Sequence, residues 1–338
     1  MNKIVKNTER NIIKYKETVI LSKVTIYRNY SRLPFADQMT QDQKRNLESE
    51  LLRFIAKRRK HPPLFSVKNL SDDDKIMYIS RGYFDTETSN KDDVAMILSD
   101  ETAIILNNIN HINIVNAVEG FGLKNCYKRA KETEVKLGEY DKYLLSARYG
   151  YMSPDLKLCG LGVKYSVLVH LSGIGRAINH KEIISRLYER GYEIKGWNPG
   201  LNGTYYFEIS TRLNYGISET ELLTRFETGI KEIIDMDRIL LKEIAQNNVD
   251  IDDLIYRSIG ILKYAKKIGH EESLFHLSNL RTGLELGYDI EYNIEQINNI
   301  HNALTGTNVE KIADKYNLIK TGGTDEHSQI LNPNKYFE

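Results

Sequence analysis

The stretch best equipped for chemistry runs from Gly150 to Leu171, GYMSPDLKLCGLGVKYSVLVHL. Its first part is a loop carrying Ser153, Pro154 and three glycines, Gly150, Gly160 and Gly162. Its second part, Val163–Leu171, runs into β-branched and apolar residues and reads as a buried strand. A glycine-bearing loop that feeds a core strand is suited to cradling a ligand: glycine lets the backbone approach closely, and the strand holds the loop still. Two other features could do chemistry. The basic run KRRKHPP, residues 57–63, could take an anion, but a solvated helix end before a proline stop is the favoured reading. His111, in NNINHINI, stands alone, and a hydrogen-bonded structural histidine is favoured over a catalytic one. The sequence has no Cys/His metal spacing, no Walker loop and no GxGxxG.

The elements that would position these residues follow from periodicity. Thr18–Tyr30 alternates, with Lys23 and Thr25 on one face and Val24 and Ile26 on the other. Gln41–Lys57 has an apolar stripe of Leu47, Leu51, Leu52 and Ile55 and predicts a helix. Ser71–Arg81 predicts another, with Ser71 as N-cap and three aspartates in its first turn. Val94–Leu98 and Thr102–Asn107 read as a hairpin turning at residues 99–101. Asn125–Leu145 reads as a helix with a charged outer face. His180–Gly191 reads as a helix stopped by Gly191. Tyr192–Trp197 and Thr204–Ser210 read as strands around the turn-rich loop NPGLNG. Glu219–Gln246 predicts a long helix, and Ile251–Asp289 a helical C-terminal part. The ends, residues 1–17 and GGTDEHSQILNPNKYFE, are polar and expected to be loose.

These residues resemble the phosphagen-kinase (ATP:guanido phosphotransferase) superfamily, and most of all its bacterial protein-arginine kinases. In the 150–171 segment Gly150, Tyr151, Gly160, Gly162, Ser166, Val167, His170 and Leu171 match the family pattern. The reactive letters do not: the family's cysteine falls on Asp155, its asparagine on Leu158 and a phosphate-binding arginine on Lys164. Upstream, Ser22, Arg28 and Asn29 match, while two more phosphate-binding arginines fall on Lys23 and Thr25. A family histidine falls on Gly82. In NNINHINI, Asn107 and His111 are kept. The two glutamates, one thought to orient and deprotonate the substrate guanidinium, fall on Asn108 and Ile109, and an arginine falls on Asn113. In the 192–210 region the arginine is Lys195 and the loop's acidic residue is missing. Residues 256–258, 260–262, 277–278, 281, 283 and 286–287 match the small helical C-terminal domain that protein-arginine kinases have and small-molecule phosphagen kinases lack. The family's final basic helix, which binds phosphoarginine, has no counterpart.

The resemblance implies an α+β fold, an antiparallel sheet flanked by helices. It divides the chain into a mainly helical N-terminal part (1–85), a guanidino-kinase-like catalytic-type domain (86–246) and a helical C-terminal domain with a polar tail (247–338). It also sets a chemical requirement. Phosphoryl transfer to a guanidinium needs the nucleotide charge clamped and a carboxylate to align the acceptor and take its proton. Lys23, Lys164 and Lys195 keep charge but lose the bidentate fork of arginine; Thr25 and Asn113 lose charge altogether. Loss of a general base costs about 10²–10⁴ in rate, and each lost preorganised contact about 10²–10³.

The leading expectation is therefore a catalytically impaired relative, a pseudokinase acting through protein contacts. Its partner would be an arginine kinase, that kinase's activator, or Clp-type proteolysis machinery, and a homo- or heterodimer is expected. The alternative is an active ATP-dependent guanidino or protein-arginine kinase with Asp155 as a rearranged base and Lys23, Lys164 and Lys195 on the phosphates. A bare phosphoarginine reader is disfavoured by the missing basic helix. Mg-ATP at weak affinity is the one cofactor left open. Composition agrees with a globular protein: of 338 residues 41% are hydrophobic and 28% charged, with a net charge of +1. That balance favours neither nucleic acid nor an acidic membrane as partner. Two cysteines, Cys126 and Cys159, fit a reducing compartment, and the cytoplasm is expected. The 22 tyrosines read as codon bias before anything functional.

Overall fold

The computed structural model describes residues 15–57, 62–99, 102–196, 203–212, 215–246, 248–265, 268 and 270–305. In chain order the elements are α1 (Tyr15–Thr18), β1 (Val19–Arg28), α2 (Gln41–Ala56), β2 (Leu64–Ser66), α3 (Asp72–Ser80), α4 (Thr86–Ser89), β3 (Ala95–Ser99), β4 (Thr102–Leu106) and β5 (Ile112–Glu119). There follow α5 (Leu123–Gly138), the short hairpin β6 (Leu145–Ser146) and β7 (Gly150–Tyr151), a 3-10 turn at Leu156–Leu158, and β8 (Val163–His170). The rest comprises α6 (Ser172–Arg176), α7 (His180–Glu189), β9 (Tyr192–Gly196), β10 (Tyr206–Thr211), α8 (Glu219–Ala245), α9 (Val249–Tyr264), α10 (His270–Glu285) and α11 (Ile294–Thr305).

Eight strands form one antiparallel sheet in the order β2-β3-β4-β5-β1-β8-β10-β9. The strand expected at 163–171 is there, and so is the alternation read in β1. Val24 and Ile26 are fully buried on one face, where α2, α5 and α8 cover the sheet through Leu47, Leu51, Cys126, Phe226 and Ile230. On the opposite face Met96, Ala103, Ile105 and Val115 pack under Tyr78, Tyr83 and Phe84, so α3 and the turn after it cover only the β3–β5 half. The β1–β8–β10–β9 half of that face carries polar and charged side chains beside a small apolar patch of Leu21, Leu168 and Tyr206. Residues 1–85, expected to be mainly helical, contribute β1, a central strand, and β2, an edge strand.

Capping sets several helix starts, and the N-cap expected at Ser71 is one of them. Ser71 Oγ accepts from Asp74 N–H, and Ser218 Oγ from Glu221 N–H. Thr40 and Gln43 form a capping box at α2. The helix expected to reach Leu145 stops at Gly138. Beyond it Tyr140 and Tyr143 turn back to pack on buried Tyr30, with ring centroids 5.3 and 5.5 Å away, and Leu144 N–H donates to Asn29 C=O. Burying three aromatic rings together outweighs the few residues of helix given up.

The C-terminal helices have a core of their own, built on Ile255, Leu262, Leu277, Leu280 and Ile297. They include α11, which lies within the expected helical C-terminal domain (247–338) but is not read as a separate helix from the sequence. They dock on the sheet through polar contacts. His170 Nε2 meets Ser278 Oγ at 2.8 Å, Arg281 donates to Thr18 C=O at 2.9 Å, and Arg176 donates to Asn279 Oδ1 at 3.0 Å. The basic run at 58–61, the turn at 100–101, Trp197, most of the NPGLNG loop, and both chain ends lie outside the described residues.

Candidate functional site

Antiparallel partners share a face, so strand register decides which side chains can meet. Lys23 on β1 lies opposite Ser166 on β8, which lies opposite Ser210 on β10, which lies opposite Glu193 on β9. Thr25 lies opposite Lys164, and Tyr27 opposite Asn113. Glu208 on β10 lies opposite Lys195 on β9. The register thus gathers Lys23, Thr25, Asn113, Lys164 and Lys195 on one sheet face. These are the five positions where the resemblance places phosphate-binding arginines.

Two glutamates that the sequence reading did not single out occupy the same face. Glu208 Oε1 stands 2.8 Å from Lys23 Nζ. Glu193 uses one carboxylate oxygen for each of two lysines, Oε2 for Lys164 at 3.0 Å and Oε1 for Lys195 at 3.1 Å. Burial alone would raise the Glu193 carboxyl, but the Lys164 and Lys195 ammoniums bring it down to about 2. Burial opposes the same effect at Glu208, where Lys23, and behind it Lys164 and Lys195, hold the carboxyl below its usual value. Both glutamates are therefore ionised at neutral pH. Alternation within YEIK and YFEIS places each carboxylate on a defined strand face. Which lysine it meets depends on pairing between strands.

Gly82, at the family's histidine position, makes room for this arrangement. Its φ is +73°, and a Cβ there would stand 3.1 Å from Lys23 Cδ.

The remaining candidate positions are tied into the local framework. Asn108 Oδ1 accepts from Lys91 Nζ at 3.1 Å, and its Nδ2 donates to Thr88 Oγ1 at 3.2 Å. Ile109 is exposed. Asp155 starts the 3-10 turn that ends at Leu158: its Oδ1 accepts from Lys157 N–H at 2.9 Å, and its own N–H donates to Ser153 Oγ. These bonds keep Asp155 within its own loop. His111 is a structural histidine, as favoured from the sequence. Its Nδ1 accepts from Tyr30 N–H at 2.9 Å, its Nε2 donates to Pro34 C=O at 2.6 Å, and burial lowers its pKa.

Arg28, fully buried, anchors the glycine loop at the mouth of β8. Its Nη1 donates to the carbonyls of Tyr27 and Gly162, and its guanidinium lies 3.4 Å from the centre of the Tyr151 ring. Its Nε is bound to Glu134 at 2.6 Å, and Glu219 approaches within 3.5 Å. Lys131 bridges both glutamates. Gly162 has φ +58°, and a Cβ there would fall 2.5 Å from Arg28 Nη1. The loop is therefore held by a buried cation packed against bare backbone.

The model of the ATP:guanido phosphotransferase C-terminal catalytic domain matches residues 37–240. The chain belongs to this family. The C-terminal domain of protein-arginine kinase McsB matches residues 248–318, the part that forms α9–α11. A protein-arginine kinase of Clostridium acetobutylicum is 24% identical over 323 residues, covering 93% of this chain and 94% of that one. One from an Exiguobacterium species is 28% identical over 203 residues, 59% of this chain and 58% of the other. Among solved structures, lombricine kinase aligns with a TM-score of 0.56 at 16% identity, covering 70% of this chain and 71% of that chain. The duplicated taurocyamine kinase of Schistosoma mansoni aligns at 0.60 and 15% identity, covering 72% of this chain and 37% of that longer chain. These likenesses show the guanidino-kinase fold, as expected from the sequence.

Within this ATP:guanido phosphotransferase fold, the donor set on the sheet face does not fit a nucleotide polyphosphate as it stands. The three ammoniums that would meet the phosphates already hold carboxylates. Among the described residues, no cluster of three or more His, Cys, Asp or Glu is placed to hold a metal ion. No helix of the described residues is long and apolar enough to cross a membrane.

Proposed function

We propose that this chain is a catalytically silent member of the ATP:guanido phosphotransferase family, akin to protein-arginine kinases, that acts through protein contact. The observation that carries the reading is the pairing of Lys23, Lys164 and Lys195 with Glu208 and Glu193. Three positive charges less two negative ones leave a single net charge on a face that would have to clamp a polyphosphate. Thr25 and Asn113 add none. A γ-phosphate brought there would meet two carboxylates, which repel it. The two positions where the resemblance puts substrate glutamates hold Asn108, engaged with Thr88 and Lys91, and Ile109, which has no ionisable group. Several defects of about 10²–10³ each, even without simple additivity, remove nearly all transfer.

What remains is a well-packed fold with its C-terminal domain. The curated relatives that match it almost end to end are protein-arginine kinases. The partner class that follows is an arginine kinase, its activator, or a component of Clp-type proteolysis, bound by a chain that shares the kinase's shape without its chemistry.

Calorimetric titration with Mg-ATP and Mg-ADP, beside an assay for acid-labile phosphate on arginine, tests the silent half. Neither heat nor thermal shift nor phosphoarginine is expected. Micromolar nucleotide binding with phosphoarginine formation would overturn the reading and install the active-kinase alternative. Pull-down with a purified arginine kinase and with Clp subunits tests the partner half.

A further inference from the structure

We infer that Glu193 and Glu208 act as built-in anions on the sheet face, so that this face is a latent polyphosphate site held shut by its own carboxylates. The inference rests on the silent reading above and goes one step deeper: it says why the site is silent and what would open it.

The geometry is that of an occupied anion site. Glu193 presents its two oxygens to two different lysines, as a phosphate group would, and Glu208 takes the third lysine. The row between them is lined by small hydroxyl residues. From β9 to β1 it reads Glu193, Ser210, Ser166, Lys23, with Thr25 opposite Lys164 in the next row. Hydroxyls and ammoniums are the donors a polyphosphate uses. In the adjoining row Glu208 lies opposite Leu168, which lies opposite Leu21, an apolar border to the set, and the two carboxylates are the groups whose charge opposes an anion.

The network is also open to solvent. The side chains of Lys23, Lys164, Glu193 and Glu208 are 20%, 25%, 28% and 27% exposed, and that of Lys195 64%. A dissolved anion can therefore reach the lysines, and the carboxylates must be displaced or neutralised for it to stay. Glu-to-Gln exchange keeps the shape, removes the charge and leaves a possible hydrogen-bond donor.

A plain structural role, in which the ion pairs only fasten the edge strand β9 and its neighbour, makes a different prediction. Removing the carboxylates would then loosen the edge without creating affinity for anything.

The test is calorimetric titration of the full chain with inorganic tripolyphosphate and with ATP at low ionic strength. Wild type, E193Q, E208Q and the double variant E193Q/E208Q are compared, each checked for folding by circular dichroism. The expected result is no detectable binding by wild type, at least about tenfold tighter binding for each carboxylate removed, and loss of the gain with added salt. Adding Lys164→Met to the double variant should abolish the gain. A folded E193Q/E208Q protein that binds no better than wild type overturns the inference, as does a gain that survives Lys164→Met. If the double variant does not fold, the single variants are read by the same criteria. The two failures are distinguishable. Tight Mg-ATP binding by wild type sinks the silent reading itself. Silence in both wild type and the folded variants sinks only the latent site.

Discussion

Glu208 Oε1 reaches Lys23 Nζ at 2.8 Å across the intervening strand β8, from β10 to β1. One ion pair therefore ties together three strands, and it does so at a position where the resemblance would have an arginine free for phosphate. With the Glu193 pairs, it converts a cation-lined face into a nearly neutral one.

The first consequence is a pH dependence. The Glu193 carboxyl sits at about 2 in the folded chain against an ordinary value of 4.5. A carboxyl depressed by folding stabilises the protein fully above its unfolded pKa, and that contribution is lost as pH falls through the folded one. Thermal midpoints of wild type should fall as pH drops from about 4.5 towards 2. The E193Q protein should show a shallower fall over that window. Identical acid limbs would mean that the Lys164 and Lys195 contacts add nothing in solution.

Arg28 should be the most costly charge to remove from the sheet. Its guanidinium is buried between Glu134, Glu219 and the Tyr151 ring. Arg28→Met leaves two glutamates with only Lys131 to balance them, and breaking a buried pair from one side costs about 3–5 kcal/mol. Urea unfolding would measure it. Gly162→Ala, which must strain φ and crowd Arg28 Nη1, should also destabilise, by about 1–3 kcal/mol.

Asp155→Ala separates the two readings of the glycine loop. If Asp155 only starts the 3-10 turn, the exchange costs about 0.5–1.5 kcal/mol, the scale of one hydrogen bond, and changes no nucleotide titration. A loss of arginine phosphorylation in the same variant would make Asp155 a working base.

Arg281→Met should undock the C-terminal helices. Arg281 is fully buried, donates to Thr18 C=O and bonds Asn298. Limited proteolysis should cut the variant faster between α8 and α9, while strand content by circular dichroism stays near wild type. Unchanged cleavage would show that the other contacts, His170 with Ser278 and Arg176 with Asn279 among them, hold the domain without Arg281.

Much of this architecture was legible in the sequence. The strand at Val163–His170, the cap at Ser71, the end of α7 before Gly191 and the long helix α8 all follow from period, capping and breakers. The placement of Lys23 and Thr25 on one face followed from alternation alone. The overlong α5 came from reading charge periodicity through Tyr140 and Tyr143, whose rings are wanted elsewhere, on Tyr30. Glu193 and Glu208 were missed for a different reason. Each sits on an alternating strand, but nothing local states that β10 lies between β8 and β9, or which residue faces which. Register is a property of pairs of strands, and here it decides whether three lysines are available to an anion or already taken.

The central position of β1 has a consequence for how the chain is made. Among the described residues β1 is the first strand to leave the ribosome, yet Val24 pairs with Asn116 on one side and Tyr165 on the other. At roughly 5–20 residues per second, the first partner arrives about 5–20 s later and the second about 7–30 s later. Until then an apolar strand with two unpaired edges is exposed on the nascent chain. Its alternate polar positions, Lys23 and Thr25, interrupt that apolar strand before they become part of the floor of the sheet face.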